Sequence, residues 1–169
     1  MSAELITRLN NRLERTRLLK TLSTKERITG LTNQYQASQE LENLIQQQIS
    51  FGFVLLEMTD LKQINLKYGH NYGNQALASW GKLLQTAFRA DEITSYWGNG
   101  EFIIALPNCD ATTSKERLAE ILATLRRQVF NSADGSRFQV NYRYSVVEYP
   151  KTANNLLNIY QSCVQALVE

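Results

Sequence analysis

Residues 95–106 read SYWGNGEFIIAL, two strand-like runs on either side of Gly98-Asn99-Gly100. Asn-Gly between apolar runs is the strongest short-range hairpin signal, because a type I′ turn needs positive φ at both central residues. The stretch predicts a tight hairpin, with strands near 93–97 and 101–106 and Glu101 just past the tip. Pro107-Asn108 stops the second strand. Tyr96 and Trp97 are read as sheet packing, since aromatic residues favour strands. Whether the tip does chemistry depends on what the rest of the chain brings to it.

Upstream, FVLLEM (53–58) is a continuous apolar run of strand length, the pattern of a central strand covered on both faces. Its single acid, Glu57, belongs at the rim of the sheet, because carboxylates are rarely buried unpaired. The helix before it spans about 33–49, capped by Thr32 or Asn33 and ended by Phe51-Gly52. DLKQINLKY (60–68) predicts a short helix, GHNYG (69–73) a loop, and 74–89 a helix with Leu77, Trp80, Leu83, Leu84, Ala87 and Phe88 on its apolar side. Beyond the hairpin, Asp110 or Thr112 caps a helix over about 112–130, where Leu118, Ile121, Leu122, Leu125 and Val129 recur at helical spacing. SADGS (132–136) is a turn. FQVNYRYSV (138–146) alternates with period two, a half-exposed antiparallel strand with Tyr142 and Tyr144 on its core face. A last helix covers 153–168. The order helix, helix, β, α, β, β, α, β, α predicts an α+β, ferredoxin-like domain with a mostly antiparallel sheet flanked by helices.

Residues 4–22, ELITRLNNRLERTRLLKTL, form an amphipathic stripe among arginines. The expected division is a helix over 1–25, a linker or dimerisation element, and one domain over 26–169. That helix either lies on its own domain, pairs as a short coiled coil, or rests on a membrane surface. Heptad spacing at Ile6, Leu9 and Leu13 breaks at Thr16 and Lys20, which disfavours a long coiled coil. The absence of aromatic residues weakens the membrane option.

Composition narrows the function classes. With 169 residues, 43% hydrophobic and 20% charged, the chain has the composition of a soluble globular domain. A net charge of +2 is too weak to argue for nucleic acid. Cys109 and Cys163 stand far apart and in no metal-ligand spacing, which reads as reduced thiols. His70 is the single histidine, read as fixing a loop. No apolar run approaches the roughly 18 residues of a membrane span. The expectation is a cytoplasmic protein.

Several stretches then fall into a known series. ITGLTNQ (28–34) resembles the LTGLxNR opening of GGDEF domains, the diguanylate cyclase family. FVLLEMTDLKQINLKYGHNYGNQAL (53–77) resembles that family's DxDxFKxINDxYGHxxGDxxL, and GNGEF (98–102) stands where the signature stands. The resemblance runs over about residues 26–168. It implies a palm-type domain that joins two GTP molecules into cyclic di-GMP across a dimer, with two metal ions between the phosphates and two acids. The first of those acids matches Glu57. The second is the third residue of the signature, and it matches Gly100, which has no side chain to offer; Gly98, Asn99, Glu101 and Phe102 fill the other signature positions. The guanine-reading pair matches Asn65 and Asn74, the latter replacing an aspartate and so losing charge assistance. Lys62 matches the lysine of FKxIND, and Leu66 stands where that motif has its aspartate. The phosphate-gripping basic residues of the closing helix have no counterpart in CVQALVE (163–169). The family's inhibitory site, Arg and Asp three apart, matches Arg89 and Glu92, with Asp91 one residue off. Arg89 could grip a guanine edge; the plainer reading is a solvated helix end beside two acids.

The resemblance therefore implies a catalytically inactive domain with no catalytic residues, which signals by binding a regulatory protein or a dimer mate through its N-terminal helix. It would require no cofactor, with Mg²⁺ only where GTP binds. The alternatives are a receptor for GTP or cyclic di-GMP and a residual cyclase using Glu57, Glu101 and Asp60.

Overall fold

A computed structural model describes residues 24–168; the helix expected over 4–22 lies outside them. The elements are α1 (Gln34–Gln46), β1 (Phe51–Met58), α2 (Leu61–Tyr68), α3 (His70–Ala87), β2 (Ile93–Tyr96), β3 (Glu101–Pro107), α4 (Ala111–Arg127), β4 (Phe130–Asn131), β5 (Arg137–Phe138), β6 (Tyr142–Tyr149) and α5 (Leu156–Val168). Four strands form one sheet in the order β2-β3-β1-β6, every neighbouring pair antiparallel. This is the ferredoxin-like α+β arrangement that the element order predicts. β4 and β5 form a separate two-stranded ribbon.

β1 is continuous in its apolar content because it lies inside the sheet with helices on both faces. Phe51 through Leu56 are all buried. Successive side chains alternate between two cores. Val54, Leu56 and Met58 pack toward α3 and α4, around the fully buried Trp80, whose ring lies 5.4 Å from Phe102. Phe51, Phe53 and Leu55 pack toward α1 and α5, with Ala37, Leu41, Ile159 and Cys163. The Cys163 thiol is pushed up to about 11 by burial, which makes it an unreactive core group.

Several elements differ from the sequence expectation, each for a physical reason. GHNYG is not a loop: α3 begins at His70, and Gly69 alone joins it to α2, its N–H closing α2 onto Asn65 O at 3.0 Å. Phe51-Gly52 does not end α1 but opens β1, since α1 stops at Gln46. The last strand runs over 142–149 rather than 138–146. The Asp60 carboxylate accepts the Asn141 N–H at 3.2 Å and pins the chain to the start of α2, while Phe138 pairs with Phe130 in the ribbon. Tyr142 is half-buried against Trp80. Tyr144 is not a core residue: it is 41% exposed, because β6 is an edge strand.

Candidate functional site

The hairpin closes as its residues dictate. Gly98 O accepts from Glu101 N–H at 2.9 Å across Asn99 (φ 53) and Gly100 (φ 81), both in the left-handed region that a type I′ turn needs. The turn folds back on β1. Met58 N–H donates to Gly100 O at 2.8 Å, and Gly100 N–H donates to the buried Tyr96 hydroxyl at 3.0 Å. Burial raises the Tyr96 phenol, opposed by that N–H. A Cβ at position 100 would lie 2.8 Å from Met58 O. Position 100 thus lacks an oxygen donor and also lacks room for the side chain that would carry one.

The two nearby acids lie side by side. Glu57 is the register partner of Glu101 on β3 and of Arg143 on β6, so the three form a row across the sheet on the face packed against α5. Each carboxylate has a cross-link. Arg143 Nε donates to Glu57 Oε2 at 3.1 Å, and the Tyr160 hydroxyl donates to Glu101 Oε1 at 2.5 Å. Burial and the neighbouring carboxylate push Tyr160 up to about 12. Its ring stacks on Trp97 at 5.5 Å, and the Trp97 indole N–H donates to Ser95 Oγ at 2.9 Å. Trp97 is therefore packing, as read from the sequence. Asp60 is likewise occupied, holding Asn141. Among the described residues, no three His, Cys, Asp or Glu side chains are grouped to hold a metal ion.

The α2–α3 corner is built differently. Asn65 stands in the last turn of α2 and Asn74 in the first turns of α3, with Lys62 one turn before Asn65 on α2. Gly73 permits the close crossing: a Cβ there would meet Asn65 Oδ1 at 1.8 Å. That oxygen is buried and has no hydrogen-bond partner. Asn74, Lys62 and Leu66 are exposed, Leu66 at 80%. His70 sits exposed in the first turn of α3 rather than fixing a loop.

Arg89 to Glu92 line a cleft of about 600 Å³ with Lys25, Glu40 and Gln85. Arg89 and Asp91 are exposed, as the solvated reading expects. Glu92 is not. Its side chain is 4% exposed, it is ion-paired with Arg117 of α4, and its Oε1 accepts the Arg89 N–H at 2.8 Å. The sequence reading missed Arg117, Arg143 and Tyr160. The register and packing that deliver them cannot be read from one strand or helix alone.

A four-stranded antiparallel ferredoxin-like sheet, a tight hairpin beside an acid at the end of β1, and a two-helix corner between β1 and β2 define the class of palm-type α+β domains. The family model described as diguanylate cyclase, GGDEF domain, matches residues 23–169, and the chain belongs to that family. Diguanylate cyclase DgcS of Shewanella oneidensis is 30% identical over 81 residues, covering 46% of this chain and 27% of that protein. The chain spans about a third of the length of the curated relatives it matches. Among solved structures, the GGDEF domain of DgcB from Caulobacter crescentus in complex with c-di-GMP aligns with a TM-score of 0.75 at 15% identity, covering 86% of this chain and 88% of that one. Diguanylate cyclase SiaD of Pseudomonas aeruginosa, in complex with its activator SiaC, aligns at 0.76 and 18%, covering 98% and 66%. At these identities the likeness is one of fold. No helix of the described residues is long and apolar enough to cross a membrane.

Proposed function

We propose that this GGDEF domain does not synthesise cyclic di-GMP and acts in signalling by binding, with a regulatory protein or a dimer mate as its partner. The observation that carries the reading is position 100. Divalent cations beside a triphosphate need hard oxygen donors, usually carboxylates, to neutralise charge and align the reacting groups. Gly100 supplies none, and the turn's approach to Met58 O leaves no space for one. Glu57 is the one matched acid left, and it already holds Arg143. Such a donor set does not fit a pair of cations. A GGDEF protein held by a protein partner has a counterpart in SiaD with SiaC. The segment 4–22 is the natural link to such a partner, and the cytoplasm the compartment that fits two free thiols. The test is incubation of the full chain with GTP and Mg²⁺ or Mn²⁺, followed by chromatography. No cyclic di-GMP is expected. A product that disappeared on Glu57→Ala would overturn the proposal and restore a cyclase.

A second reading, a nucleotide receptor, is favoured by Asn65. Buried side-chain oxygens are nearly always satisfied in folded proteins. An orphaned acceptor in the corner whose helices also carry the exposed Asn74 and Lys62 suits a planar ring bearing N–H groups, such as guanine. Arg89, exposed at its cleft, gives cyclic di-GMP a second place to bind. Calorimetry with each nucleotide, with and without divalent metal, decides it. Heat with GTP lost in Asn65→Ala supports the corner, and silence with both nucleotides at high micromolar concentration removes the reading.

A further inference from the structure

β6 pairs with β1 along one edge, and among the described residues no strand pairs with the other. The backbone bonds fix which residues face that open edge. Asn141 O accepts from Thr59 N–H at 3.0 Å, on the β1 side. Glu148 instead bonds Thr152, its N–H to Oγ1 at 3.1 Å and its carbonyl from N–H at 2.9 Å, on the outer side. In an antiparallel ladder both backbone groups of a residue point to the same neighbour and alternate along the strand. Tyr142, Tyr144 and Val146, in phase with Glu148, therefore turn their N–H and C=O groups outward. An edge of this kind is a template for strand addition.

The side chains beside the edge select what is added. A groove of about 380 Å³ runs between α4 and the edge. Its floor is small and apolar, Ala119, Leu122 and Ala123, and Tyr142 and Tyr144 form its wall. Arg126 and Arg127 stand in the last turn of α4, with the Arg126 guanidinium 5.0 Å from the centre of the Tyr142 ring. Among the described residues, no acid lines the groove. Arg143, on the other face of the same strand, is neutralised by its ion pair with Glu57, so the groove's charge rests on Arg126 and Arg127.

We propose that the β6 edge binds an extended acidic segment of another protein by strand addition. The incoming backbone bonds Tyr142, Tyr144 and Val146, an apolar side chain sits over Ala119 and Ala123, and a carboxylate meets Arg126 and Arg127. A second copy of this chain fits poorly: two edges paired about a two-fold axis near Tyr144 would bring the Arg126 and Arg127 cations of both copies together. The proposal uses no residue of the hairpin or the α2–α3 corner, so it stands or falls independently of the nucleotide reading.

The test titrates the full chain into fluorescein-labelled nonapeptides of sequence Val-Thr-Glu-Thr-Val-Thr-Glu-Thr-Val, whose valines and glutamates share one strand face, or the same peptide with lysine for glutamate, read by anisotropy. The glutamate peptide is expected to bind and to slow amide exchange at 142–146. Tyr144→Pro removes an outward N–H and leaves the β1 ladder whole, so it should weaken binding by about tenfold or more while the melting temperature reports an intact fold. The paired change Arg126→Glu with Arg127→Glu should weaken it by a similar factor, and this variant carries the test if the proline variant is unfolded. Four results would overturn the proposal. The glutamate peptide fails to bind at millimolar concentration, or the lysine peptide binds as well. Binding depends on the arginines with no protection at 142–146, which would assign the groove to a small anion. The chain self-associates and Tyr144→Pro abolishes that association, which would give the edge to a second copy.

Discussion

The carboxylates and the corner amide sit in opposite conditions. Glu57, Glu101 and Glu92 each hold a specific donor: Arg143, Tyr160 and Arg117. Asn65, in the α2–α3 corner, leaves its Oδ1 buried and unbonded. An acid that already has its partner adds to the fold and must lose that contact before it can hold a ligand. An unbonded buried acceptor costs the fold free energy and gains from a ligand. On the proposed reading, the acids have become part of the fold, while the corner proposed to read a base keeps an unfilled requirement.

The comparison is tested most severely at Glu92. Its side chain is almost wholly buried, so Arg117→Met leaves an uncompensated charge and should cost about 3–5 kcal/mol in urea unfolding. It also removes the guanidinium lying 5.7 Å from the Phe88 ring. Adding Glu92→Leu should return most of the loss, because an apolar pair replaces an ionic one of similar volume. If Arg117→Met is instead within about 0.5 kcal/mol of the parent, Glu92 is free to meet a ligand and the contrast with Asn65 collapses.

Next comes the turn. Gly100→Glu restores the missing acid in name, yet position 100 combines φ +81 with a carbonyl 2.8 Å from the new Cβ. The expected result is a loss of about 1–3 kcal/mol and no cyclic di-GMP. A variant that synthesised product at parental stability would show that the turn can yield, and would turn the structural reading of the hairpin back into a catalytic one.

These two sites show what one sequence can and cannot disclose. The Asn-Gly turn, the buried β1 run and the helical spacing of α4 are local patterns, legible because turn chemistry and side-chain period act over a few residues. Glu57 at the sheet rim and Gly100 in the turn were legible as local features, but the functional positions of Glu57, Gly100, Asn65 and Asn74 came only through the family motif. The partners Arg143, Arg117 and Tyr160 were not legible at all, being 86, 25 and 59 residues from the acids they hold. The misplacement of β6 has the same origin: alternation begins at Phe138, but the Asp60 contact with Asn141, across 81 residues, decides where the strand starts. Edge position, and with it the exposure of Tyr144, follows from strand order rather than from strand pattern.

Tyr160 gives a smaller and pH-dependent probe of the acid half. Its phenol in the fold is raised to about 12 from the ordinary tyrosine value of 10.0, so the neutral form is the favoured one. The stability it contributes is present in full below the unfolded pKa and is lost as pH rises from about 10 toward 12. Tyr160→Phe should cost about 1 kcal/mol at neutral pH, the net worth of a hydrogen bond, and should flatten that alkaline slope. Cys163 and Tyr96, also raised by burial, keep part of the slope in the variant; a slope no shallower than the parent's would mean that Glu101 is not held through Tyr160.

The smallest change in stability belongs to the corner, and it is the most informative one for function. Asn65→Ala removes a buried oxygen that bonds nothing and places a better helix former in the last turn of α2. Stability should therefore stay level or rise by a few tenths of a kcal/mol, the reverse of what deleting a structural polar group does. If GTP binds, its heat should vanish in the same variant, separating a residue kept for a ligand from one kept for the fold. A loss of more than about 1 kcal/mol would show that Oδ1 is bonded in solution. The corner would then be as self-satisfied as the hairpin, and the case for a nucleotide receptor would rest on Arg89 alone.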